Sequence, residues 1–383
     1  RSTAEAINAG MDIEMPGPYR FERQKIDEAL ASGALSEATI TRNAGRALYQ
    51  KIAFDLNNPS HKDESIVECE AHRELARESA EQSFVLLKNA ADVLPLNSKQ
   101  LIAVVGDLAD AANLGDRGSS MVTSTTVVTP LDGIRACKGE GDVTYFRSSD
   151  DLTGLAEFDV GIVVAGLTYR EEGEFIPTQQ QNAEDDSGLA RGGDRLDLRL
   201  PEEQEALIQK VARRVRKTIV LLEAGSAIDV SPWVEQVDAL MMIWYPGCEG
   251  GAAVGRVLFG EVNPSGRLPV TFPKSVRQLM DWDVAAVDVK HDLYHGYRYL
   301  DQNREIAQYP FGYGLSYSAF ALDGFEVKRA GDGFLLTITV TNKGQRVGAT
   351  VPQVYVGHLE SKIERVSKEL KGFGRVELEP KES

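Results

Sequence analysis

The stretch VVAGLTYREEGEFIPTQQQNAEDDSGLARGGDRLDLRLP, Val163 to Pro201, runs an apolar strand straight into the glutamates Glu171, Glu172 and Glu174. A long polar segment follows, and order resumes at Gly193-Asp194-Arg195. A strand whose apolar residues are continuous rather than alternating is buried on both faces, the habit of a mainly parallel sheet covered by helices. In such open sheets ligands gather outside the carboxyl ends of the strands, so a carboxylate cluster there is a candidate site. The plainer reading of a charge-rich segment is a solvated loop. Phe175 to Gly192 contains almost nothing apolar to bury and is expected to be mobile near the mouth of such a site.

The same pattern extends outward. Leu101 to Val105, Thr218 to Leu222 and Leu240 to Trp244 are further continuous apolar runs, separated by amphipathic segments such as Glu202 to Val215 and Gly250 to Phe259. Together they predict a helix-covered α/β layer domain over residues 70–275. Before it, residues 1–54 read as helices, the firmest beginning after Ser36, an N-cap flanked by a Leu35/Ile40 staple and followed by Ile40, Ala44, Ala47 and Leu48 at helical spacing. Residues 55–69, with Asn57-Asn58-Pro59-Ser60, read as a linker. A helix is expected from Glu70 to Lys88, ending in the apolar run Phe84 to Leu87.

Past the sheet, Val270 to Pro273 suggests an edge strand, and residues 276–318 form a connector rich in aromatics and glycine, expected to be ordered by burying its tyrosines and Phe311 against its neighbours. From residue 319 the period changes to two, in Leu336 to Thr341 and then Val351 to Val356, as at the start of a β-sandwich.

The 383 residues exceed what a single core organises, so several domains are expected. A net charge of −16 with no basic stripe argues against a nucleic-acid partner. No apolar run approaches membrane-spanning length, and Cys69, Cys137 and Cys248 have no metal-type spacing and read as buried thiols. His61, His72, His291, His295 and His358 show no ligand spacing, so neither a metal nor another cofactor is called for. No G-x-S-x-G elbow appears for serine chemistry.

The loop Leu114-Gly115-Asp116-Arg117-Gly118-Ser119-Ser120 lacks dinucleotide-binding spacing, and its small residues suit a hydroxyl-rich ligand. Arg117 and Ser119, with Tyr169, are the candidate substrate-binding residues. What remains is carboxylate chemistry at Glu171 to Glu174. Neighbouring like charges and burial push a carboxyl toward the protonated form that a general acid needs, and a nearby cation such as Arg170 acts the other way.

Several of these segments, taken together, resemble glycoside hydrolase family 3, in particular its three-domain β-glucosidases. Ala9 to Pro16 is similar to the family's last barrel segment, and Glu81 to Pro95 to the entry into its second domain. The likeness continues through Val128 to Gly133, Trp244-Tyr245-Pro246-Gly247, Asn263 to Pro269 and Phe311 to Tyr317, and ends in KELKGFGRVEL, Lys368 to Leu378, which resembles the fibronectin-type-III-like domain. The resemblance implies the tail of a (β/α)₈ barrel, an α/β sandwich with a mainly parallel sheet, and an incomplete fibronectin-type-III-like β-sandwich over residues 319–383.

It also implies a retaining mechanism, with an aspartate nucleophile on the barrel and a glutamic acid/base on the sandwich. The family's E-G, D-R and L-x-L-P elements correspond to Glu172-Gly173, Asp194-Arg195 and Leu198-Arg199-Leu200-Pro201, with Glu174 to Gly193 inserted between the first two. Glu172 is therefore favoured as general acid/base, with Glu171 and Glu174 as alternatives. The implied substrate is a small oligosaccharide or glucoside carrying terminal non-reducing β-linked glucose. A xyloside or arabinoside, or a non-catalytic carbohydrate-binding module, are the other readings. The nucleophile is expected outside this chain, in a barrel segment supplied by another polypeptide or a longer form of this one. The sequence leaves room for a homodimer and does not fix localisation.

Overall fold

The computed structural model describes residues 3–383 apart from 16, 18, 57, 59–62, 98, 116, 118–120, 174–194, 196, 282, 284 and 285, and only the backbone of 140. The chain divides into two compact units, Arg1–Cys69 and Glu70–Ser383.

The first unit is helical: α1 (Thr3–Asn8), α2 (Arg23–Ala31) and α3 (Glu37–Ala53). Ser36 caps α3 as its sequence predicts, its hydroxyl accepting from the Thr39 amide at 3.2 Å. The buried stripe of α3 differs from the expected one, since Leu48 is 55% exposed while Asn43 is buried. The Asn43 amide donates to the carbonyls of Ile7 at 2.9 Å and Met11 at 3.2 Å, which ties α3 to the end of α1 and the residues after it.

The second unit opens with α4 (Glu70–Ser83), which stops five residues before the expected end at Lys88 because the apolar run after it is a strand, β1 (Val85–Asn89). Short apolar runs fit a helix and a buried strand equally well, and here pairing with a neighbour decides. β1 lies antiparallel to β6 (Ala239–Met242), with Val85 opposite Met242. β2 (Ile102–Val105), β3 (Val143–Phe146), β4 (Val160–Gly166), β5 (Lys217–Glu223) and β6 are mutually parallel, giving the order β1-β6-β5-β4-β2-β3.

Successive strand residues point to opposite faces. Val105, Val163, Val220 and Leu222 meet α7 (Glu202–Ala212) on one side. Val104, Ile162, Ile219 and Leu221 meet α5 (Pro130–Lys138) and α8 (Gly250–Leu258) on the other. Both faces are sealed, which is why these runs carry no polar alternation. The three cysteines are half-buried rather than buried. Among the described residues no helix is long and apolar enough to cross a membrane.

The expected edge strand at Val270 to Pro273 reduces to one bridge, Phe272 with Tyr309, because the proline-flanked run pairs only there. The connector carries α9 (Tyr297–Asn303) and packs its rings as expected. Tyr309 is buried beside Phe272 and stacks on Tyr313 at 5.2 Å, while Tyr297 lies 5.5 Å from Phe311 and 5.8 Å from Tyr355. After it come the ribbons β7 (Phe320–Ala330) with β8 (Gly333–Asn342), β9 (Gly348–Thr350) with β12 (Val376–Leu378), and β10 (Gln353–Val356) with β11 (Glu369–Phe373).

The strand order reverses at one place that matters for ligand binding. From β2 the chain moves outward to β3, then returns across β2 to β4, so the loops leaving β2 and β4 part in opposite directions. The gap between them is a topological switch point, where open α/β sheets place their ligands.

Candidate active site

β4 ends at Gly166, held by the side chain of Gln204, which accepts from the Gly166 amide at 2.7 Å and donates to its carbonyl at 2.8 Å. Only glycine fits there, because a Cβ would lie 1.9 Å from the Glu223 carbonyl oxygen on β5. Leu167 then donates its amide to that carbonyl at 2.7 Å. The turn that follows, α6 (Tyr169–Glu172), is capped by Thr168. Glu171 completes the box, its Oε2 accepting from both the amide and the hydroxyl of Thr168 at 2.8 Å.

Glu172 sits one residue further on with its side chain 9% exposed. Its Oε2 accepts from the Gly225 amide at 2.7 Å and from the Tyr245 hydroxyl at 2.8 Å. Its Oε1 accepts from the Ser226 hydroxyl and faces Arg195 Nη2 at 3.7 Å. Arg195 is fixed in turn by Ser226 Oγ at 2.8 Å and the Ala227 carbonyl at 3.0 Å, while its Nη1 is buried with no hydrogen-bond partner among the described residues. Three strand ends therefore meet on one carboxylate. β5 supplies Gly225 and Ser226. The turn after β6 supplies Tyr245, which follows Trp244 at φ +57°, a left-handed backbone that is costly for so bulky a residue and that sets the direction of the turn.

Beside this cluster, at the switch point, lies a cavity of about 390 Å³ lined by residues that follow β2, among them Leu108, Asn113, Arg117 and Val127, and by Thr168 and Tyr169 after β4. Arg117 lays its guanidinium over the Tyr169 ring, 3.8 Å from the centroid. Two of the candidate substrate-binding residues are thus brought together on one wall. Ser119, Glu174 and the segment Phe175 to Gly192 lie outside the described residues. Among the described residues no His, Cys, Asp and Glu side chains are grouped to hold a metal.

Sequence reasoning did not single out Gly225, Ser226, Asn113 or Glu223, and it quoted Tyr245 within a family-like segment without a role in the site. Glu223 is 1% exposed at the end of β5, and its Oε2 accepts from Asn113 Nδ2 at 2.9 Å. Burial pushes its carboxyl up to about 8, the Asn113 amide pulling the other way. A glutamate closing the apolar run Thr218 to Leu222, followed after Ala224 by Gly225-Ser226, is the signal that was there to be read.

The profile of the Glycosyl hydrolase family 3 C-terminal domain matches residues 84–317, and that of the Fibronectin type III-like domain matches residues 350–383. Thermostable beta-glucosidase B of Acetivibrio thermocellus is 33% identical over 98% of this chain and 50% of its own length. An exo-alpha-(1->6)-L-arabinopyranosidase of Bifidobacterium longum is 31% identical over 99% of the chain and 51% of its own. The crystal structure of a GH3 beta-glucosidase from Bifidobacterium adolescentis superposes with a TM-score of 0.80 at 30% identity, covering 99% of this chain and 55% of that one. The chain spans about half the length of the curated relatives it matches. With the switch-point cleft, the mixed sheet and the profile all in agreement, the chain belongs to glycoside hydrolase family 3 and comprises that family's C-terminal α/β domain and a fibronectin-type-III-like domain.

Proposed function

We propose that this chain carries the general acid/base half of a retaining exo-β-glycosidase site that releases terminal non-reducing β-D-glucose from oligosaccharides or glucosides. The observation that carries the reading is the glutamate run at the carboxyl end of β4, beside a cavity at the switch point and wired to the ends of β5 and β6. In the whole protein this run would face an aspartate nucleophile on the barrel domain, the two carboxyls about 5 Å apart as retention requires. The aspartate attacks the anomeric carbon while the acid protonates the departing oxygen. The same residue, now a base, deprotonates the water that releases the sugar from the covalent intermediate. The Nη1 of Arg195, which has no hydrogen-bond partner among the described residues, supports the reading, since it leaves a donor for a hydroxyl-bearing ligand.

The three carboxylates are not equivalent. Glu171 is spent on the cap of α6, and Glu172 faces a donor or cation on both oxygens, which orients its carboxyl group toward the ends of β5 and β6. The sequence preference for Glu172 as proton donor therefore gives way, in our reading, to Glu174, with Glu172 holding the run against β5.

Glu172→Gln and Glu174→Gln in the whole protein test this. The acid/base variant should lose about 10²- to 10⁴-fold on an alkyl glucoside and much less on an aryl glucoside with an activated phenol. Azide should rescue that variant and yield a β-glycosyl azide, because the anion attacks the intermediate without base help. We expect this of Glu174→Gln, with Glu172→Gln slow on both substrates and not rescued. Azide rescue of Glu172→Gln returns the role to Glu172.

The B. longum relative, named for an α-L-arabinopyranoside, supports a second substrate reading at nearly the same identity. Side-by-side rates on nitrophenyl β-D-glucoside, β-D-xyloside and α-L-arabinopyranoside separate the two.

A further inference from the structure

We propose that Glu223 is a positioning residue that holds the Asn113 wall of the cleft in place for substrate binding, an inference that rests on the glycosidase reading of that cleft. The side chain is buried where β5 leaves the sheet, and its hydrogen-bond partner among the described residues is Asn113, which also donates to the Leu167 carbonyl at 3.0 Å. One carboxamide thus ties the β2 loop, the start of the Thr168 turn and β5 together. Asn113, Thr168 and Tyr169 all line the cavity. The Glu223 carbonyl receives the Leu167 amide, and two residues later the Gly225 amide holds Glu172. The same short segment therefore sets both the cavity wall and the carboxylate run.

The anchor works with a neutral acid. Burial pushes the Glu223 carboxyl up to about 8, so it keeps its proton through neutral pH. Ionised, it would sit almost fully buried with one amide donor, and the wall would have to open to hydrate it. The ionisable groups nearest along these segments have partners of their own. Glu172 is held by Gly225, Ser226, Tyr245 and Arg195, Arg195 also by Ser226, and Glu171 by Thr168.

The experiment compares Glu223→Gln, Glu223→Ala and Asn113→Ala with the unaltered whole protein on an activated aryl glucoside from pH 5 to 9. Losing one buried hydrogen bond from the wall should raise KM about three- to tenfold in Glu223→Ala and Asn113→Ala, with kcat nearly kept. Glutamine imitates the neutral acid, so Glu223→Gln should keep the neutral-pH KM and lose the rise in KM that the unaltered protein shows above pH about 8. Unchanged KM in both alanine variants overturns the proposal. So does an alkaline rise in Glu223→Gln equal to that of the unaltered protein. Asn113→Ala leaves the buried strand untouched, so it decides the matter if Glu223→Ala fails to fold. If the unaltered protein hydrolyses no glycoside, the functional reading fails on its own. The anchor is then read by amide exchange of the segment around Asn113, which Glu223→Ala must accelerate and Glu223→Gln must not.

Discussion

Tyr245 and Glu172, 73 positions apart in sequence, are joined by a hydrogen bond of 2.8 Å from the phenol to Oε2. That oxygen also takes the Gly225 amide, so the turns leaving β4, β5 and β6 are locked at one atom. Tyr245→Phe removes one donor and nothing else of the ring. Hydrogen bonds to a charged group in a site of this kind contribute about 1.5–3 kcal/mol. We expect Tyr245→Phe to lower stability by about that amount, and its effect to vanish in a Glu172→Ala background, which has no acceptor, measured by denaturant melts in a double-mutant cycle. Additive losses would show that the two residues are not coupled.

Glu223 should leave its mark on the pH dependence of stability. Its folded carboxyl is pushed up to about 8 from the ordinary 4.5, so between those values the folded chain holds a proton that the unfolded chain has released. Its contribution is therefore fully present below about 4.5 and is lost as pH rises through about 8. Unfolding free energies at pH 5, 6.5 and 8 should fall more steeply for the unaltered protein than for Glu223→Gln, which has no proton to lose. Parallel curves would mean the carboxyl does not titrate in that window.

The same contrast explains what could be read from the chain in advance. β2, β4 and β5 were legible because Ile102 to Val105, Val160 to Ala165 and Thr218 to Leu222 are buried on both faces and so are continuously apolar but for Thr218 at the start of the last. β1 was not, because Phe84 to Leu87 continue the register of α4 and only the pairing of Val85 with Met242 makes them a strand. The glutamate run was legible as a charge cluster at a strand end. Its holders were not, since Gly225, Ser226 and Tyr245 are ordinary in their own windows and meet Glu172 only through the parallel order of β4, β5 and β6.

Gly166→Ala probes the closest backbone approach beneath the site. The added Cβ would lie 1.9 Å from the Glu223 carbonyl oxygen and 2.8 Å from its amide nitrogen, atoms of a central strand that have no rotamer to escape into. β4 and β5 must part locally, breaking the Leu167 bond as well. We expect destabilisation at or above the upper end of the ~1–3 kcal/mol typical of overpacking, read as a lowered denaturant midpoint. An unchanged midpoint would contradict this packing.

Gly225→Ala asks a finer question, because here the new methyl meets the site rather than the sheet. Gly225 is not in the left-handed region, so alanine can adopt its backbone. The Cβ would stand 3.1 Å from the Tyr245 ring and 3.4 Å from Glu172 Oε2. Both neighbours must give by a few tenths of an ångström, and both are side chains that can. Stability should therefore fall by only about 1 kcal/mol or less. Activity should fall further, since small misplacements of a group that orients the proposed acid/base run are amplified in the rate, on the order of 10²-fold for a shift near 1 Å. The measurement pairs kcat/KM on an activated aryl glucoside with a denaturant melt of the same preparation. Losses of activity and stability that match in free energy, or no loss of either, would mean that the Gly225 contact to Glu172 does not position the catalytic run.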